Sequence, residues 1–293
     1  MNKVPHTVSF AVLFAVSLIL WHRPVINTFT LATSDDGYTH ILLILPLTLG
    51  LIARDWSERD FQPRFWVPAV SVMLAALLLL VWVRWGSLGG TSDLGLAVAM
   101  VGLIAWWIAS FDFCFGPTAL RAFRFPLYFL FWMVPVPAIA MQAVVVGLQR
   151  GSALAAQFIF AIVRTPVSRE AMTLHIPGLD LEVAAECSSI RSSLMLLVTT
   201  MVLAQVLLRT PWRKVLVVLL ALPLAAAKNG LRIFTIGMLS TRVDPAFLTG
   251  RLHREGGIIF FLITLAVIFL LIWFLRRGET VQPPVPRWRP ARS

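Results

Sequence analysis

The residues best suited to chemistry fall in three short blocks. The first is Val183-Ala-Ala-Glu-Cys-Ser-Ser-Ile-Arg-Ser-Ser193, followed at once by an apolar run to Leu208. It places a thiol, Cys187, at the mouth of a membrane helix. Free N–H groups and the macrodipole at a helix start stabilise a thiolate. Arg191, one turn on, adds to that effect. Glu186, if ionised, opposes it, and Ser188 or Ser189 is suited to cap the helix. A cysteine in a membrane helix is otherwise a small apolar filler. Cys114, in Phe111-Asp-Phe-Cys-Phe115 with no base or cation close by in sequence, is read that way.

The second block is Lys228-Asn-Gly-Leu-Arg232, with apolar residues on both sides. Arg232 there either snorkels to lipid headgroups or meets a buried anion. The third is Arg251-Leu-His-Arg-Glu-Gly-Gly257, just before the last apolar run. Its His253 is the usual type of general acid/base at neutral pH, although a loop histidine beside arginines is often merely exposed. A thiol, an imidazole and a guanidinium together make a thiol acyl-transfer site. The thiolate attacks a carbonyl, the imidazole protonates the leaving amine, and the guanidinium stabilises the oxyanion.

The elements that must position these groups are membrane helices. Hydrophobic residues make up 58% of the 293-residue chain and charged residues only 13%, with a mean hydropathy of +0.83. Soluble domains are nearer half apolar and a quarter charged. Apolar runs near 7–21, 38–53, 66–83, 94–110, 125–147, 190–208, 213–239 and 256–275 predict an all-α polytopic membrane protein of about eight spans. The fifth run holds Pro126, Pro135 and Pro137, which predict a kink or break. Residues 140–170 are interrupted by Gln142, Gln149, Arg150, Gln157 and Arg164. They read equally as a helix along the interface or one buried in the bundle. Residues 172–183 alternate polar and apolar around Pro177-Gly178, which predicts a short outer-face β-hairpin directly before Cys187. A two-residue turn would set His175 opposite Asp180, and that cross-strand pair is the preferred reading of His175.

The net charge of +11 is spread over helix ends, which suits anionic headgroups and topology control and excludes a nucleic-acid footprint. The basic turn 207–214 and the Arg-rich tail fall on one side, read as cytoplasmic together with both termini. Cys187, Arg232 and His253 then lie at the outer ends of three consecutive spans. Residues 1–277 are read as one membrane-embedded domain and 278–293 as a disordered basic cytoplasmic tail. Two cysteines make no disulfide scaffold, and the five histidines have no metal-ligand spacing. No cofactor or metal is expected.

These blocks resemble the exosortase/archaeosortase family of membrane cysteine transpeptidases. Cys187-Ser-Ser, Asn229-Gly-Leu-Arg232 and His253-Arg-Glu-Gly-Gly257 are similar to its Cys-Ser-Gly, Asn-x-x-Arg and His-x-x-x-Gly blocks. Softer support comes from Gly37-Tyr-Thr-His-Ile41 and Val134-Pro-Val-Pro137. The resemblance implies Cys187 as nucleophile, Arg232 as electrostatic stabiliser and His253 as acid/base. Asn229, Glu186, Ser188, Ser189 and Arg191 take supporting places. It implies a bacterial inner-membrane enzyme, with its site on the periplasmic face, linked to surface anchoring and to exopolysaccharide and biofilm production. The implied substrate is the C-terminal sorting signal of exported membrane-anchored proteins: a Pro-Glu-Pro-like motif, an apolar span and a basic cluster. Membrane lipids are further partners, and the acceptor (water, lipid or glycan) is left open. Ser189 departs from the family's glycine, which alters the turn if that glycine serves close approach or a positive φ. The competing reading from another class is a non-catalytic transporter or scaffold subunit for polysaccharide export, in which Cys187 is inert.

Overall fold

A computed structural model describes residues 4–56, 67–85, 92–183, 190–248 and 257–279. In chain order the helices are α1 (Val4–Leu20), α2 (His22–Ser34), α3 (Ile41–Trp56), α4 (Val67–Trp85), α5 (Asp93–Ala122), α6 (Arg124–Phe129), α7 (Ala138–Ile162), α8 (Ile190–Leu207), α9 (Pro211–Arg242) and α10 (Gly257–Arg277). Between α7 and α8 lie three strands, β1 (Ser168–Glu170), β2 (Thr173–Ile176) and β3 (Leu179–Glu182). Among the described residues, α4, α5, α7, α8, α9 and α10 are long and apolar enough to cross a membrane. The pair α1–α2, bent by 77°, adds a seventh only if its two helices count as one span. Large apolar side chains such as Leu262, Phe269 and Phe274 face outward from α10, an arrangement suited to lipid rather than water.

The chain differs from the expected eight spans at two places. The second run forms α3, but its 16 residues rise only about 24 Å, short of a hydrocarbon core of about 30 Å. The fifth run does not form a single helix. It gives the six-residue α6, a 3-10 turn at Leu130–Met133, and extended backbone at Val134 (φ −69°, ψ 119°). Pro135 and Pro137 explain the break, because a proline pushes the residue before it out of the helical region. Helix resumes as α7, through the polar interruptions that left 140–170 undecided.

The chain divides into two compact units, residues 1–150 with 184–195, and 151–183 with 196–293. The first is built on α5, most of whose length is buried. Ser92 starts it, its Oγ accepting from the Gly95 N–H at 3.0 Å. Gly116 interrupts it at φ 83°, ψ 168°, a conformation that glycine adopts without a Cβ penalty. Indole donors tie α1 to α5. Trp107 Nε1 donates to Ser17 Oγ at 2.8 Å, and Trp21 Nε1, at the α1–α2 break, donates to the Ala99 carbonyl at 2.9 Å. Cys114 sits in an aromatic core with Phe111, Phe115 and Phe123, as expected of a filler.

In the second unit, α8, α9 and α10 pack through Leu196, Ala204, Val217, Ala221, Ile268 and Ile272. The latter half of α7 also lies in this unit. One face of it is buried, with Ala153, Ala156 and Phe160 fully enclosed, while Leu154, Phe158 and Ile162 face outward, so it is neither an interfacial helix by pattern alone nor one enclosed on all sides. It meets α9 along a seam of small residues. A Cβ on Gly151 would stand 3.1 Å from the Ala226 Cβ. One on Gly230 would stand 2.5 Å from the Ala155 Cβ and 2.8 Å from the Ala156 backbone nitrogen. In a lipid-embedded bundle such close approach is what holds helices together. Backbone atoms have no rotamer to escape into, so Gly230→Ala must force α7 and α9 apart. Overpacking costs about 1–3 kcal/mol, against about 1 kcal/mol gained in helix propensity. A lowered melting temperature in detergent is expected; an unchanged or raised one contradicts the seam.

The strands form one antiparallel sheet in the order β1-β2-β3. The predicted hairpin is present, and a third strand extends it. Pro177 and Gly178 make a two-residue turn between Ile176 and Leu179, with Gly178 at φ 84°, as a type II turn requires at that position. Leu174, Ile176 and Leu181 are buried. Leu181 would lie 2.6 Å from a Cβ on Gly237, so a second glycine of α9 makes room for the sheet.

At the α8–α9 turn, Glu279 holds the end of α10 to the start of α9. Its Oε1 accepts from the Thr210 N–H at 2.8 Å and the Arg209 N–H at 3.0 Å. Arg213 donates to the Leu275 and Gly278 carbonyls at 2.6 and 2.7 Å. Of the expected tail, Gly278 and Glu279 are thus bonded, and 280–293 lie outside the described residues. Burial is the largest single influence on the Glu279 carboxyl and raises it, but the Thr210 and Arg209 donors and the nearby Arg213 together outweigh it and hold its pKa below the usual range. A depressed folded-state pKa means stability present above the ordinary carboxylate range and lost as pH falls through the depressed value. The wild type should therefore melt higher than Glu279→Gln at neutral pH, and the gap should close on acidification. A gap independent of pH contradicts the clamp.

Candidate functional site

The site residues fall in both units, and each group is described within its own. In the first unit, Arg191, the ninth residue of the Cys187 block, occupies the opening turn of α8. Its Nη1 lies 3.3 Å from Asp36 Oδ1. Both side chains are mostly exposed, so the pair adds little stability, about 0–1 kcal/mol; it marks where the α2–α3 turn meets the helix start. Asp36 belongs to the turn between α2 and α3. Asp35 Oδ1 accepts from the Gly37 N–H at 2.8 Å, and the Tyr38 hydroxyl donates to the Val136 carbonyl at 2.7 Å. The buried His40 ring meets Trp132 edge-on, 6.3 Å between centroids. The Gly37-Tyr-Thr-His-Ile41 and Val134-Pro-Val-Pro137 stretches are therefore bonded to one another, and Asp36, just before the first, contacts the start of α8. Asp36 is one residue that sequence reasoning missed. It stands next to a quoted stretch, but its partner is 155 positions away.

In the second unit, α9 carries Lys228, Asn229 and Arg232. Asn229 is 1% exposed and Lys228 5%, and Arg232 is half-buried. Lys228 and Arg232 are one turn apart and share a helix face. Gly230 is two residues from each, about 200° around the helix. The face that packs on α7 is thus opposite the face that carries the cations. Ionisable groups inside a span are costly and mark functional positions. Lys228 was not singled out from the sequence, although its apolar flanks on one side and the nearby arginine were visible there.

His175 is engaged across the sheet. Its Nδ1 lies 2.7 Å from Asp180 Oδ1 and its Nε2 3.9 Å from Glu170 Oε2, which bears out the cross-strand reading. Glu186, Cys187, Ser188, Ser189 and His253 lie outside the described residues.

Lipid-facing spans with cations buried in one of them and a small sheet between α7 and α8 define a multi-pass membrane protein. The chain belongs to the transmembrane exosortase family, whose model (Exosortase_EpsH) matches residues 21–270. Exosortases are membrane proteins, generally transpeptidases, linked to PEP-CTERM protein sorting, and membership implies a sorting-signal substrate. No curated protein and no solved structure matches the chain.

Proposed function

We propose that this protein is a membrane cysteine transpeptidase that cleaves the C-terminal sorting signal of exported proteins through an acyl-enzyme on Cys187. The observation that carries this reading is the family match over 21–270, which encloses the Cys187, Arg232 and His253 blocks in order. The Cys187 thiolate adds to the scissile carbonyl carbon and forms a C–S bond. The Arg232 guanidinium stabilises the resulting oxyanion. Collapse of the adduct breaks the C–N bond, and the imidazolium of His253 gives its proton to the departing amine. An acceptor amine, hydroxyl or water then attacks the thioester and yields its proton to His253, and the thiolate leaves. Asn229 and Arg191 serve as supporting groups. The basic α8–α9 turn and the Arg-rich C-terminal segment support a cytoplasmic placement of both termini, with the reaction at the outer face.

The test uses a reporter bearing a Pro-Glu-Pro-like motif, an apolar span and a basic cluster, co-expressed with the full chain in a host lacking other exosortases. Shortening of the reporter only when both the protein and the motif are present is expected. Equal processing with and without the protein contradicts the proposal.

A further inference from the structure

A second polar site lies in the first unit, and no residue assigned to catalysis is among the described residues that line it. Where α1 stops at Leu20 and α2 turns off by 77°, a cleft of about 560 Å³ opens against α4 and α5. That volume is within the roughly 300–1,000 Å³ of small-ligand sites. Leu80, Val83 and Ala99 give it a buried apolar floor. Arg23, Arg84 and His22 line its rim, and no carboxylate is among the described residues that line it.

The break itself explains why cations gather there. It leaves the last carbonyls of α1 without helical partners. His22 Nδ1 is 2.9 Å from the Ile19 carbonyl, and Arg84 Nη2 donates to the Leu20 carbonyl at 3.3 Å. A carbonyl only accepts, so His22 Nδ1 carries the hydrogen. Arg84 uses one of its five N–H donors on Leu20. Trp85, 78% exposed, ends the apolar span α4 beside this rim. An exposed tryptophan next to an arginine at the end of a span is the signature of headgroup level. The cleft therefore joins an apolar floor, suited to an acyl chain, to two guanidiniums at the depth of lipid phosphates.

We infer that this cleft binds an anionic phospholipid, its phosphodiester on Arg23 and Arg84 and the start of an acyl chain against Leu80 and Val83. A phosphocholine headgroup carries a cation of its own, which the two arginines repel. The inference stands independently of the transpeptidase reading.

The experiment is native mass spectrometry of the full chain in detergent, with phosphatidylglycerol or phosphatidylcholine added. Wild type should retain one phosphatidylglycerol per chain, in about tenfold preference to phosphatidylcholine. A basic residue at headgroup level contributes about 1 kcal/mol, so Arg23→Gln should weaken retention about fivefold. Arg84 also holds the helix break, so Arg23→Gln is the primary variant. Leu80→Trp, which fills the floor, should displace the lipid while Arg23 remains. Arg121→Gln, a surface arginine bonded to Pro117 in its own helix, should change nothing. Equal retention of the two lipids, unchanged retention in Arg23→Gln, or an equal loss in Arg121→Gln overturns the inference. So does displacement of the lipid by glycerol phosphate at comparable concentration, which would make the site one for a free phosphate ester.

Discussion

Cys187→Ala should reduce processing of a tailed substrate by about 10⁴-fold or more, the scale seen when a covalent nucleophile is removed. Alanine leaves nothing to form the acyl bond, so no acceptor can rescue the reaction. Cys187→Ser should retain at most a trace, because a hydroxyl has a far higher pKa than a thiol and needs a stronger base. The measurement is the rate of reporter shortening in membranes with matched protein levels. Unchanged processing by Cys187→Ala removes the enzyme reading altogether. It would favour the transporter or scaffold alternative, under which Cys187 is inert.

Arg232 should show the second largest effect. Removing one donor from an oxyanion site costs about 10²–10³ in rate, so Arg232→Gln should fall by that amount, mainly in kcat rather than KM. Arg232→Lys keeps the charge but loses the planar fork, and should recover only part of the rate. Arg232 sits on the α9 face opposite Gly230, so its substitution should leave the α7–α9 seam and the melting temperature nearly unchanged. Full activity in Arg232→Lys contradicts bidentate donation. An equal fall in melting temperature and activity assigns Arg232 to packing instead.

The parts of this architecture that were legible in the sequence are those governed by local pattern. The hairpin at 172–183 was readable because its alternation is strict and Pro177-Gly178 can make few turns. β1 was not, since Ser168–Glu170 is three polar residues with no periodicity of its own. Pro135 and Pro137 announced a break, but not that helix would resume at once as α7. Glutamines and an arginine within α7 weakened its apolar signal, while its small residues, the ones that fit against α9, carry little hydropathy. Gly230 looked like part of a functional block, and the structure gives it a packing reason as well. Asp36 shows the limit most clearly. A contact between the α2–α3 turn and the start of α8 depends on how the helices assemble, and no window of sequence contains both ends.

The central claim is a covalent acyl-enzyme on Cys187, and intact-mass analysis tests it most directly. Full-length protein is mixed with a sorting-signal substrate, quenched in acid during turnover, and weighed before and after hydroxylamine. The account predicts an adduct with the mass of the N-terminal cleavage fragment, mapped to Cys187, released by hydroxylamine and absent from Cys187→Ala. Continued turnover with no adduct at any quench time, or an adduct mapped to another residue, contradicts it.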